Sequence, residues 1–273
     1  MDSSNKTLPK VSAAAAATGR LVKARFDSGV ATTRRLWFRL SRPVLNGTPP
    51  VWTARMTEIA ISAVGLTAFV AIFDPYFRPF AGSPPNFALE FLRDVTDAAK
   101  SGWYIVPAII LIAIIGLMDW RELRTASRRA LLTAYGRAAY ILAAIAIPGI
   151  TVNIIKQIVG RARPRMVDDF GVYGFSPFEF SSLFQGFPSG HAATAGSLAA
   201  ILMLWHPQAK WPLFAIMFML GCARIPAGAH YPSDVVAGFS IGAIMALAIA
   251  RWLARRRAVF SFDGDRTLPR LNR

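Results

Sequence analysis

Three short patches in the second half of the chain hold residue types suited to acting together on a phosphate. They are Lys156 with Arg163-Pro164, then Pro188-Ser189-Gly190-His191, then Arg224 with His230 and Asp234. Lys156, Arg163 and Arg224 come from separate segments, and converging cations suit a multiply charged anion: guanidinium forks match phosphate oxygens, and an ammonium adds a compact charge. Ser189 and the amides around Gly190 stand at the expected start of a helix, where free N–H groups also favour an anion. His230 and Asp234 are spaced i, i+4. If Pro232 and Ser233 open a helix, the carboxylate reaches one ring nitrogen and leaves the other free to attack phosphorus. His191 then protonates the departing alkoxide and activates water for a second step. The cations stabilise the equatorial oxygens of the transition state. This scheme needs no metal or other cofactor, and the sequence offers no convincing carboxylate cage for one.

Each patch also has an ordinary structural explanation. Lys156, Arg161, Arg163 and Arg165 fit interfacial anchors. The Pro-Ser-Gly-His run fits a serine-capped helix start, and His230 with Asp234 fits an incidental polar pair. What favours the chemical reading is that the order of membrane spans brings all three patches to one face.

The chain has 273 residues, 54% of them hydrophobic and gathered into long apolar runs, which argues for a polytopic membrane protein over a soluble domain. The net charge of +16 is held between those runs and not along one folded face, so nucleic acid is not the expected partner. Six stretches reach the length a bilayer requires: 54–73, 103–118, 137–158 with Pro148-Gly149 inside it, 189–205, 211–226 and 234–253. Residues 1–53 and 254–273 flank them as basic tails. Lys and Arg number ten in 1–55, five in 119–137, one in 206–211 and seven from Arg251 onward. The alternate segments hold fewer, with three in 74–102, four in 156–187 and one in 224–234. The asymmetry places both tails in the cytoplasm, and therefore all three patches on the extracytoplasmic side.

Other features are secondary. Thr33-Arg34-Arg35-Leu36-Trp37-Phe38 faintly resembles a twin-arginine signal, but Pro49-Pro50 separates it from the first apolar run. A cytoplasmic tail with Trp37, Phe38 and Leu40 at the lipid headgroups fits better. The run Ala13 to Ala17 suggests no more than a weakly helical or disordered tail. In 74–102, the spacing of Phe87, Phe91, Leu92 and Val95 predicts a short amphipathic helix on the outer surface. A single cysteine, Cys222, excludes an intrachain disulfide. His206 falls on the cytoplasmic side and reads as structural or solvated.

The three patches resemble the signature motifs of the type 2 phosphatidic acid phosphatase family, which vanadium haloperoxidases and glucose-6-phosphatase share. Lys156 through Arg163-Pro164 matches the first motif and Pro188-Ser189-Gly190-His191 the second. Arg224, His230 and Asp234 match the third, except that Ala223 stands where the family has serine, which removes one hydroxyl. The resemblance implies an all-α membrane bundle of six transmembrane helices in a bacterial inner membrane. It also implies phosphate binding by Lys156, Arg163, Ser189, Gly190 and Arg224, acid catalysis by His191, phosphorylation of His230, and sensitivity to vanadate.

Phe170, Tyr173, Phe175, Phe178, Phe180, Phe184 and Phe187 crowd the segment between the first two motifs. Aromatic rings prefer the headgroup layer, so this segment either forms a sideways lipid entrance or packs onto the bundle. A site at membrane level favours an amphiphilic phosphate ester as substrate. Phosphatidylglycerophosphate, phosphatidic acid, undecaprenyl pyrophosphate and lipid A are the candidates. A phosphotransferase would use the same residues. A binder or transporter of phospholipid is the rival from another class, although it has no need for a histidine paired with a carboxylate beside a second histidine.

Overall fold

The computed structural model describes residues 8–81, 94–118, 120, 123–263 and 268–272. Seven long helices account for most of them: α1 Leu8–Leu40, α2 Ala54–Ala71, α3 Gly102–Leu117, α4 Thr125–Val159, α5 Gly190–Trp205, α6 Lys210–Cys222 and α7 Pro232–Ala254. Helices occupy all six predicted spans. Four helical stretches, Ala54–Ala71, Asp94–Leu117, Thr125–Val159 and Pro232–Ala254, are long and apolar enough to cross a membrane. α5 and α6 are shorter, at 16 and 13 residues. A helix of 13 residues measures about 20 Å against a hydrocarbon core of about 30 Å. The outer faces are apolar, as a lipid-facing surface requires. Val64 in α2 is 71% exposed and Ile61 67%.

Local chemistry sets the helix ends that matter for the site. α4 stops at Gly160, whose φ of 58° suits glycine, and a Cβ there would overlap the Ser176 carbonyl. α5 starts at Ser189, whose Oγ accepts from Ala192 N at 3.4 Å. α7 starts with Pro232 in its first turn, where a missing N–H costs nothing. α5 and α7 lie against each other at the centre of the bundle through small residues. A side chain at Gly196 would strike the Phe239 carbonyl, and one at Gly242 the Ala193 carbonyl. This closeness brings the His191 end of α5 beside the Asp234 end of α7. Tyr140 of α4, fully buried, ties that helix to α7 by donating from Oη to Ala246 O at 3.2 Å.

Three segments form more regular structure than the sequence alone indicates. The helix drawn at 137–158 runs from Thr125 to Val159 as one piece through Pro148, because nothing before Tyr135 breaks it and its polar first turns extend beyond the apolar stretch. The N-terminal tail contains the 33-residue helix α1, which rests on α3 where Ser28 Oγ donates to Met118 O at 3.1 Å. The C-terminal tail folds back as a two-stranded ladder, Phe260–Ser261 with Arg270–Leu271, and buries Phe260 against Tyr140. Phe87, Phe91 and Leu92 of the predicted amphipathic helix lie outside the described residues.

Candidate active site

Three chain segments meet above the ends of α4, α5 and α7. The segment after α4 is laid across the helix ends by backbone pairing: Ala162 N donates to Gly174 O and Arg163 N to Leu183 O, both at 2.9 Å. Gly186 then passes so close to Arg161 and Ala162 that a Cβ would lie 2.9 Å from the Arg161 carbonyl. That approach puts the Gly186 carbonyl 2.7 Å from His230 Nδ1. A carbonyl only accepts, so Nδ1 carries the proton and Nε2 keeps its lone pair.

The sequence-predicted residues converge. Lys156, 5% exposed, reaches out of α4 and donates from Nζ to Gln185 O at 2.6 Å. Arg224 donates to Thr96 Oγ1 at 2.9 Å. Lys156, Arg163 and Arg224 lie within electrostatic reach of one another, His191 within reach of Arg224 and His230, and His230 within reach of Lys156 and Arg163. Among the described residues, Arg163 Nε, Arg224 Nε and His191 Nε2 are buried without a hydrogen-bond partner. Buried polar nitrogens of this kind are costly when unpaired, and a phosphate has acceptors for the two guanidinium donors. Ser189 is fully buried and Gly190 follows it at the start of α5. His206 stands apart at the other end of α5.

Asp234 lies beside His230, as its spacing suggests, but does not hold the imidazole by a hydrogen bond. Its Oδ2 lies 3.6 Å from His230 Nδ1, too long for a hydrogen bond, and accepts from Tyr231 N at 2.9 Å. Its Oδ1 pairs with Arg161 at 2.7 Å. The Gly186 carbonyl, not the carboxylate, fixes the tautomer of His230. Burial holds the imidazole well below the ordinary histidine range, at about 4, and Lys156 and Arg163 push the same way against the attraction of Asp234. His230 is therefore neutral throughout the neutral pH range.

Sequence reasoning missed Asp74, Arg161 and Gly186. Arg161, which by sequence fits an interfacial anchor as well as its neighbours do, is 4% exposed and forms ion pairs with both Asp74 and Asp234. Asp74 did give a signal: it is the sole carboxylate between Glu58 and Glu90, placed just beyond an apolar span.

Residues 137–258 match the family model described as the PAP2 superfamily, a stretch that contains all eight predicted site residues. The chain is 34% identical to a lipid A 1-phosphatase of Rhizobium johnstonii over 221 residues, which is 80% of this chain and 88% of that protein. The chain belongs to the PAP2 superfamily. A lipid A 1-phosphatase of Rhizobium etli is 33% identical across 80% of this chain and 92% of its own length. Among solved structures, Aquifex aeolicus LpxE covers 64% of this chain and 92% of that one at 23% identity, with a TM-score of 0.43. As a PAP2 member with membrane-spanning helices, the protein is an integral membrane phosphatase, a hydrolase of phosphoric esters. Three site contributors, α2, Asp74 and Thr96, precede the matched stretch.

Proposed function

We propose that the protein removes a phosphate from lipid A at the extracytoplasmic face of the inner membrane, through a phosphohistidine on His230. The observation that carries the substrate is the likeness to lipid A 1-phosphatases along nearly their whole length. An apolar groove of about 620 Å³ supports a lipid. It runs between α2, α4 and α7 and ends beside Arg161, Ser233, Tyr173, Phe175 and Phe187, so acyl chains in the bilayer reach the site from the side. All six helices α2 to α7 cross the membrane in this reading. The Lys and Arg distribution keeps both 1–53 and 254–273 cytoplasmic.

The geometry supports a two-step reaction. Lys156, Arg163 and Arg224, with the amides around Ser189 and Gly190, hold the non-bridging phosphate oxygens. Nε2 of His230 attacks phosphorus, the bond from phosphorus to the lipid oxygen breaks, and His191 gives that oxygen its proton. Water then attacks, losing a proton to His191, and the P–N bond breaks to free His230 and inorganic phosphate. Asp234, buried and anchored by Arg161 and the Tyr231 amide, supplies fixed negative charge beside the imidazole as it turns cationic.

The decisive assay compares phosphate release from lipid A, phosphatidic acid, phosphatidylglycerophosphate and undecaprenyl pyrophosphate by the purified, detergent-solubilised protein with chelator present. The expected result is chelator-resistant release, with kcat/KM for lipid A exceeding the others by at least about tenfold. Preference for another lipid would replace the substrate, and loss of activity with chelator would overturn the metal-free scheme.

The pH profile offers a second check. The neutral imidazole attacks, so activity is lost as pH falls through the folded-state value. That value lies near 4, below the ordinary 6.5. After correction for ionisation of the substrate phosphate, the acid limb of kcat/KM is expected near pH 4. A limb near pH 6.5 would mean that the imidazole is not desolvated.

A further inference from the structure

Asp74, Arg161, Ser233 and Asp234 form one buried polar unit, none of them more than 4% exposed. Arg161 Nη1 donates to Asp234 Oδ1 at 2.7 Å and Ser233 Oγ at 2.8 Å. Its Nη2 donates to Asp74 Oδ2 at 2.8 Å and Val172 O at 3.2 Å. Asp74 also accepts from Ser233 N at 3.1 Å and takes a short hydrogen bond from Ser233 Oγ. The Tyr231 ring covers the guanidinium, with its centroid 4.5 Å from Arg161 Cζ. Four of the five N–H bonds of a guanidinium are thus committed to protein acceptors, which sets Arg161 apart from the cations left for phosphate.

Arg161 touches the surroundings of His230 by two routes. Its guanidinium pins the carboxylate of Asp234. Its carbonyl accepts from Gly186 N at 2.8 Å, and the Gly186 carbonyl in turn holds His230 Nδ1. Asp74 is the far end of this arrangement: it lies beyond the end of α2 and 87 positions from Arg161 in sequence.

We infer that Asp74 is a positioning residue for phosphoryl transfer, holding the Arg161 fork so that Arg161 fixes both Asp234 and the Gly186 loop against His230. The inference rests on the phosphohistidine reading above. One guanidinium shared by two carboxylates is balanced between them. With Asp74 neutral, the fork swings toward Asp234, and both the carboxylate and the loop carbonyl shift relative to the imidazole. Grip on the phosphate is retained, because Lys156 and Arg224 are held by Gln185 and Thr96 and not by Asp74.

The test is steady-state kinetics on the purified full-length Asp74→Asn, Ser233→Ala and His230→Ala variants with the best lipid substrate, alongside their thermal midpoints. For Asp74→Asn, kcat is expected to fall by about 10- to 100-fold, the loss typical of a misplaced catalytic group, while KM stays within about threefold. A merely structural role would lower the thermal midpoint and leave kcat of the folded enzyme intact, and that result overturns the inference. If Asp74→Asn does not fold, Ser233→Ala decides, because it loosens the same link without deleting a charge. A kcat loss of about three- to tenfold at constant KM supports the inference, and unchanged kcat overturns it. His230→Ala separates the two levels. If it is active, the phosphohistidine reading fails and the inference with it. If it is inactive while Asp74→Asn keeps full kcat, the inference alone fails.

Discussion

His230→Ala is expected to lower phosphate release by roughly four orders of magnitude or more while the protein still folds and still binds inorganic phosphate or vanadate. Removing the imidazole deletes the proposed nucleophile, the Nε2 that the Nδ1 hydrogen bond to Gly186 leaves with a free lone pair. The hydrogen bond from Nδ1 to the Gly186 carbonyl goes with it, and a net loss of about 1 kcal/mol for such a bond shifts the thermal midpoint by only a few degrees. The three cations remain, so anion binding persists. The chemical signature is separable from rate. Brief reaction with labelled lipid phosphate, followed by alkaline quench, traps an acid-labile, base-stable phosphoramidate in the wild type and none in His230→Ala. A variant retaining a tenth of wild-type activity would exclude His230 as nucleophile.

The spacing of the site residues was legible because it sits on local structure. Ser189 reads as a cap before an apolar helix, and Pro232 reads as a helix opening, and both do so in the fold. The same local logic brought Asp234 beside His230 but overstated the contact. An i, i+4 pair stacks closely when both residues are helical, but His230 precedes the N-cap Tyr231, and the pair rests at 3.6 Å. The Asp234 side chain therefore turns back to the Tyr231 amide, and Arg161 takes its other oxygen. What remained illegible is tertiary or carried by backbone. Arg161 and Asp234 are 73 positions apart, and no pattern in either segment announces the other. Gly186 contributes a carbonyl, which every residue has, and its glycine identity signals only the tight pass beside Arg161. The positions of the apolar helices were legible from hydropathy, whereas the extents of α1 and α4 were not, because their polar turns carry no apolar signal.

His191→Ala is expected to act selectively, according to the group that leaves. A lipid or sugar oxygen departs poorly as an alkoxide, so loss of the proton donor should lower turnover of lipid A phosphate by about 10²- to 10⁴-fold. An aryl phosphate releases a stabilised phenolate that needs no proton, so formation of the phosphohistidine from it should slow by about tenfold or less. Its second step still needs a base to activate water, and that base is also His191. The variant should therefore show a burst of phenolate equal to the enzyme present, followed by slow turnover as the phosphoenzyme accumulates. The location of His191 fits both duties: it is the second residue of α5, its Nε2 has no hydrogen-bond partner among the described residues, and it lies within electrostatic reach of His230 and Arg224. Equal losses for the two esters, with no burst, would reassign His191 from proton transfer to phosphate binding and leave the leaving oxygen to be protonated by water or by another group.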